Sequence, residues 1–372
     1  MDVLVVNVGS SSLKIRLVGP DDVVSLRVDV ELHPDGLDRD GLAQTVAPLA
    51  HRVDAVGHRV VHGGARFRSP VVVEGEVEDA LRELTPLAPL HQRGSLEGID
   101  VFREILPHVP AVACFDTAFH ATMPDEAATY ALPASWRQGL GVRRYGFHGL
   151  SHAYASQRVG AMMGCPAHQL RTVTCHLGAG ASLAAVAGGV SVDTTMGFTP
   201  LDGLVMATRS GSVDPGLVIW LVQEAGLTVE EVARALEHES GLLAVAGTAD
   251  MATVVARAGS GDSRARLALG LYVHRLRAGI ASMASAMGGL DTLVFTGGVG
   301  EHAATVRHQA AKGLGFLGIE IDEAANLVAV PDVDLTAAGA SVHTVVIEAR
   351  EDIEIARQVR GLLHTGTLSP PP

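Results

Sequence analysis

Apolar runs alternate with small polar turns along the first thirty residues. Val3-Leu4-Val5-Val6 is the unbroken apolar run of a buried strand, and Leu13-Lys14-Ile15-Arg16-Leu17 alternates as a half-buried strand does. The pattern predicts strands over 3–7, 12–18 and 23–30, with Gly9-Ser10-Ser11 in the first turn and Gly19-Pro20-Asp21-Asp22 in the second. The same plan returns at 171–195: a strand over 171–177, the turn Gly178-Ala179-Gly180, then strands over 182–188 and 189–195. Helical periodicity follows each unit. In the first half it covers 77–84 and 95–106, before a strand over 111–116. In the second half, Asp214-Pro215 makes an N-cap and first turn, and Thr228 with Glu231 makes a capping box. A helix near 262–287 carries Leu269, Val273, Leu276, Ile280, Met283 and Met287 at steps of three and four, a stripe that faces a core. A strand over 291–296 then runs into the glycine loop 297–301. Two related α/β halves, each opening on a polar hairpin, suggest a clamp around a ligand.

A chain of 372 residues, 47% hydrophobic, is long enough for two domains with sizeable cores. The net charge of −13 argues against a nucleic-acid surface, but a locally positive site can still take an anion. Cys114, Cys165 and Cys175 form no CxxC, which points to a reducing compartment; the 17 histidines include no HExxH, which argues against zinc. The N-terminus enters a strand without a cationic signal region, and no apolar run is long enough to span a bilayer. The expectation is a soluble cytoplasmic protein with neither nucleic acid nor membrane as partner.

Candidate chemistry collects in the turns. Small-residue hairpins present backbone amides to anions; Ser10, Ser11 and Ser12 add hydroxyls and Lys14 adds a charge. An ordinary glycine-serine turn is the alternative, and the segment is not a P-loop. Arg59 stands in a strand-like run between His58 and His62, where the alternative is an edge strand with solvated polar residues. Asp116 ends an apolar strand, the position where ligands and metals gather in α/β folds. His148 follows Phe147, and Arg209 occupies a loop before a helix. Two arginines, a histidine, an aspartate and two phosphate-type hairpins suit phosphoryl transfer.

These segments, in this order, resemble the acetate kinases: "NVGSSSLK", "GHRVVHGG", "LAPLH", "FDTAFH", "YGFHG", "CHLGAG", "MGFTPLDGL", "TRSG", "FTGGVGE" and "EDIEIAR". The resemblance spans nearly the whole chain. It implies an α/β fold of two duplicated actin-like ATPase and sugar-kinase domains, each a mixed sheet opening with a three-strand meander and flanked by helices, with an active-site cleft between them. The domains expected are 1–118 plus 353–372, and 119–352. The reaction implied is reversible, Mg²⁺-dependent (or Mn²⁺-dependent) transfer between ATP and acetate, giving ADP and acetyl phosphate, in a homodimer. Position by position, Asn7 and Glu351 would place the metal, while Ser10, Ser12 and Lys14 would face the nucleotide phosphates. Arg59 would bind the acyl carboxylate, Asp116 would sit at the catalytic centre, and His148 and Arg209 would stabilise the transferring group. His176, Leu177, Gly178, Ala179, Gly180, Asp250, Met251, Ala252, Gly298, Val299, Gly300, Glu301 and His302 would line the nucleotide site. Val61, Leu90, Phe147 and Pro200 would form the acyl pocket. The chain departs from the family at Ala179, where an asparagine is usual, and at Gln92-Arg93, Ala207, Met251, Ala252 and His302. A propionate-preferring kinase and a nucleotide-binding paralogue with weakened catalysis remain the alternatives.

Overall fold

The computed structural model describes residues 1–9, 12–31 and 37–365. They form two mixed six-stranded sheets, in two compact units. The first unit comprises Met1–Ala121, Phe147–Tyr154 and Arg350–Pro372; the second comprises Thr122–Gly146 and Ala155–Ala349.

The first sheet contains β1 (Val3–Val8), β2 (Ser12–Val18), β3 (Val24–Glu31), β4 (Ala55–Val60), β5 (Val71–Val72) and β6 (Ala111–Phe115), in the order β3-β2-β1-β4-β6-β5. The meander β1-β2-β3 is antiparallel; β1, β4 and β6 run parallel. β4 is therefore an interior strand and not the edge strand that its polar residues allow: Val56, His58 and Val60 are buried and only Arg59 is half-exposed. One face packs Val6, Val8, Leu13 and Ile15 with Val101 and Phe102 of the Pro89–Ile105 helix. That helix starts six residues before the apolar periodicity does, because Pro89 at its first turn needs no N–H partner. The other face packs Val3, Val5, Ala55 and Val112 with Ile355, Ala356 and Val359 of the Glu351–Thr365 helix. Gly57 lets that helix approach: a Cβ there would lie 2.6 Å from Ile355 and 2.9 Å from Val359.

The second sheet repeats the plan strand for strand. It contains β7 (Arg171–Leu177), β8 (Ala181–Ala187), β9 (Val190–Thr194), β10 (Thr292–Thr296), β11 (Val333–Asp334) and β12 (His343–Val346), in the order β11-β12-β10-β7-β8-β9. Again an antiparallel meander comes first, two parallel neighbours follow, and a short antiparallel strand closes the edge. The Ser263–Ala286 helix starts on its N-cap Asp262 and buries Leu269, Val273, Leu276, Ile280 and Met283; Met287 is its C-cap. Asp214 caps the Pro215–Gln223 helix as the sequence predicts, and the Thr228–Glu231 capping box forms. The segment after β10 differs from expectation: it is a short helix, Gly297–His302, and not a loop. The Glu301 carboxylate folds back to accept the Gly297 N–H at 3.0 Å and closes that turn. The apolar stretch 241–259 is two short helices, because Gly247 ends one in a left-handed cap and Asp250 caps the next.

Candidate active site

Parallel register brings the polar residues of the first unit together. Val6 pairs with His58, so Asn7 is level with Arg59 one step on; Arg59 pairs with Cys114, and Asp116 follows the end of β6. Three side chains far apart in sequence thus meet at the carboxyl edge of β1, β4 and β6. Arg59 Nη2 donates to Asp116 Oδ2 at 2.6 Å, and Nε donates to both carboxylate oxygens at 3.1 and 3.2 Å. Arg59 Nη1 donates to Asn7 Oδ1 at 3.2 Å, and Asn7 Nδ2 donates to Glu351 Oε2 at 2.8 Å. These bonds leave further guanidinium N–H groups for a ligand oxygen, since arginine has five donors.

Asp116 is wholly buried. Burial pushes its carboxyl up from the ordinary value, and Arg59 and the His148 backbone N–H pull it down. Burial also opposes the charge on Arg59, but Asp116 and Glu351 hold that guanidinium above its ordinary pKa. His148 adopts φ 56° just before the Gly149–Met163 helix. Gly149 donates its N–H to the Asp116 carbonyl at 2.9 Å, and a Cβ at 149 would lie 2.0 Å from that oxygen. Only glycine permits the approach that sets His148 beside Asp116.

Phe147 is buried against the His62 ring, and its carbonyl lies 3.0 Å from His120 Nε2. A carbonyl only accepts, so that nitrogen carries the proton. His62 Nδ1 accepts the Gly64 N–H at 2.8 Å, and Gln92 bridges the His62 backbone from both sides at 3.3 Å. Gln92, one of the departures from the family pattern, is thus a buried clasp on the strand end that carries Val61. Val61 is buried too. Lys14, opposite Asn7 on β2, is exposed, and Ser12 is half-buried. Ser10 and the side chain of Leu90 lie outside the described residues.

Among the described residues no group of three or more His, Cys, Asp or Glu can hold a metal ion by itself. Mg²⁺ needs less, since it is held by one or two carboxylates plus waters and substrate phosphates. Asp116 and Glu351, joined through Arg59 and Asn7, fit that donor set.

The second unit contains a cavity of about 860 Å³. Met251 and Tyr272 are buried in its lining; Gly178, Ala179, Asp250, Ala252, Gly298, Val299 and His302 line it with them. Ala179, Ala207, Met251, Ala252 and His302 all line this one cavity, so these departures from the family pattern collect in one place. His176, Leu177, Gly180 and Gly300 adjoin it in sequence without lining it. The Glu301 carboxylate points elsewhere, onto the Gly297 and Ala349 N–H groups at 3.0 and 2.9 Å. Asp250 caps its own helix by accepting from the Thr253 N–H and hydroxyl at 2.8 and 2.6 Å. Arg209 donates to the Pro200 carbonyl at 3.5 Å, and burial lowers its pKa from the ordinary value.

A family model described as the acetokinase family matches residues 36–357. The chain belongs to the acetokinase family. It is 43% identical to an acetate kinase of Synechococcus sp. (strain JA-2-3B'a(2-13)), over 98% of this chain and 100% of that one. Among solved structures, an acetate kinase of Porphyromonas gingivalis matches with a TM-score of 0.90 at 35% identity, over 97% of this chain and 99% of that one. A propionate kinase of Francisella tularensis matches with a TM-score of 0.88, also at 35% identity, over 96% and 98%. The duplicated fold implied by the sequence resemblance is the fold of these acetokinase relatives.

The buried histidines predict acid sensitivity. Burial lowers the pKa of His58 to about 3, and those of His62 and His120 to about 4, from 6.5. Such a group is neutral when folded and takes up a proton on unfolding. Its stabilising contribution is whole above pH 6.5 and is lost as pH falls towards the folded value. Each histidine adds up to about 1.4 kcal/mol per pH unit to the slope in that window. Among the described residues neither ring nitrogen of His58 has a hydrogen-bond partner, so His58→Leu should fold and reduce the slope by about one proton. Denaturation at a series of pH values measures it; an unchanged slope rejects the assignment.

Proposed function

We propose that the protein is an acetate kinase that transfers the γ-phosphoryl group of ATP reversibly to acetate, with Mg²⁺, giving ADP and acetyl phosphate. The observation that carries this reading is the Asp116–Arg59–Asn7–Glu351 chain at the carboxyl edge of β1, β4 and β6. It combines a cation with spare donors for a carboxylate and two carboxylates for a metal. Bound Mg²⁺ would neutralise phosphate charge, and Asn7, Glu351 and Asp116 would hold it with its waters. Arg59 binds the acetate carboxylate. An acetate oxygen attacks the γ-phosphorus as the bond to the β–γ bridging oxygen breaks. Acetate is already ionised at neutral pH, so no base is needed. Asp116 is engaged by the guanidinium and the His148 N–H, and it orients rather than deprotonates. His148 and Arg209 are assigned to stabilising the transferring group, and Val61, Phe147, Leu90 and Pro200 to the acetate methyl, on the family resemblance. The 860 Å³ cavity takes the adenosine, with the 176–180 and 298–302 segments at the phosphates; Ser10, Ser12 and Lys14 are the first unit's candidates for the same phosphates.

Two further parts of the reading have structural support. The Pro215–Gln223 helix buries none of its residues and leaves Leu217, Ile219 and Trp220 about half exposed, as a homodimer surface would; light scattering on the full chain reads the mass. Cys114 and Cys175 are buried free thiols, in keeping with a reducing cytoplasm.

Two substitutions test the roles. Arg209→Ala should lower kcat by about 10³-fold or more with the fold retained. Arg59→Ala should mainly raise KM for acetate and leave KM for ATP unchanged. Near-wild-type turnover in the first, or an equal loss on the nucleotide side in the second, would show the arginine misplaced. A parallel series with propionate decides between acetate and the longer acid, since one buried methylene is worth only about 0.8 kcal/mol.

Ala179 gives a third test. Ala179 is exposed at the cavity, and its carbonyl accepts the Ala207 N–H at 3.1 Å, so the loop path stands without a side-chain amide. Losing one preorganised donor costs about 3 kcal/mol at most. Ala179→Asn should therefore raise kcat/KM for ATP, with little effect on KM for acetate. A neutral or harmful outcome would mean that the changes at Ala207, Met251 and Ala252 have rebuilt the site around alanine.

A further inference from the structure

Arg209 sits near the tip of a loop whose base is closed by two polar side chains. Asp202 Oδ1 accepts the Ser212 hydroxyl at 2.6 Å and the Gly203 N–H at 2.8 Å. The same Gly203 N–H reaches Ser212 Oγ at 3.0 Å, and the Ser212 N–H donates to the Gly203 carbonyl at 3.0 Å. Residues 202–203 and 212 are thus clasped on both main chain and side chain. Towards the tip, the Met206 N–H donates to the Arg209 carbonyl at 3.2 Å. Gly241, at φ 64°, seats against this turn; a Cβ there would lie 2.2 Å from the Met206 carbonyl and 2.7 Å from that of Arg209. The Ala207 N–H ties the tip to the 178–180 turn through the Ala179 carbonyl.

The clasp is itself held from outside the loop. Asp202 Oδ2 lies 3.4 Å from Arg144 Nη1, whose two N–H groups are shared among it and the carbonyls of Thr194, Thr195 and Met196 at 3.0 to 3.1 Å. The Arg144 guanidinium lies 5.6 Å over the Tyr130 ring, and the Tyr130 hydroxyl accepts the Phe198 N–H at 2.9 Å. One guanidinium therefore fixes both ends of the 194–202 segment. That segment contains Pro200, whose carbonyl accepts the Arg209 guanidinium. Asp202 joins this anchored segment to the base of the arginine loop. Its side chain is 34% exposed and Ser212 is exposed, so the clasp contributes little to a core.

We propose that Asp202, clasped to Ser212 and anchored by Arg144, is a positioning residue for Arg209. It sets where the guanidinium stands without touching the substrate. The inference rests on the reading of Arg209 as the residue that stabilises the transferring phosphoryl group.

A double-mutant cycle tests it on the full-length enzyme. A misplacement of about 1 Å costs up to about 100-fold, so Asp202→Ala should lower kcat by about 10- to 100-fold, with KM for ATP and acetate within about twofold of wild type. Asp202→Asn keeps the oxygen that accepts from Ser212 and Gly203, and it should restore most of the rate. In an Arg209→Ala background, Asp202→Ala should cost nothing further, because the group it positions is gone. If circular dichroism shows that Asp202→Ala fails to fold, Ser212→Ala opens the same clasp and reads the same cycle. Losses by the same factor in both backgrounds, or wild-type kcat after the clasp is opened, overturn the proposal alone. Wild-type kcat in Arg209→Ala overturns the reading on which it rests, and the proposal with it.

Discussion

A guanidinium set among buried groups must be paired, and the pairing of Arg59 with Asp116 organises the first unit's site. A broken buried ion pair costs about 3–5 kcal/mol, so the carboxyl edge of the sheet is specified tightly. The pair forms only if β1, β4 and β6 run parallel in the observed register. A slip of one residue would turn Arg59 to the opposite face, into the place of His58 beside Phe102. The helix-bearing segments then follow: Gly149 must press on the Asp116 carbonyl, and Glu351 must reach Asn7. The geometry of this edge and the fold's register are one constraint.

The two sheets share a strand order but use it differently. In the first, the meander and parallel strands present charge. In the second, the equivalent edge bears a short glycine-rich helix beside an apolar cavity. Five of the positions where the sequence departs from the resemblance follow this division, and Gln92 and Arg93 in the first unit do not. Arg59, Asp116 and Glu351 meet at the carboxyl edge of the first sheet, with His148 beside them, whereas Ala179, Ala207, Met251, Ala252 and His302 line one cavity of the second unit. The varied residues line a cavity of the second unit, and the ion-paired residues belong to the first.

Much of this was legible in the residues. The meanders, the 262–287 stripe and the caps at Asp214 and Thr228 are local signals, and local signals survive folding. Arg59 and Asp116 stood out because polar residues interrupt apolar strands near their ends, and His148 only beside Phe147 and through the family resemblance. What was not legible was long-range. Nothing near His58 says that β4 is interior, since strand order depends on pairings made dozens of residues away. The helix at Gly297–His302 depends on Glu301 folding back, where glycines alone suggest a loop. The Gln92 clasp on His62 and the Arg144 anchor on three carbonyls are contacts between distant segments, and no spacing in the sequence announces them.

The last helix has a consequence in the order of synthesis. The strands of the first unit lie within the first 115 residues, but Ile355, Ala356 and Val359, which pack on one face of its sheet, come more than 230 residues later. Every segment of the second unit is made before them. Domains generally fold as units during synthesis. Here the face formed by Val3, Val5, Ala55 and Val112 waits for Ile355, Ala356 and Val359, which follow every segment of the second unit, so the core of the second unit can form before that of the first is finished.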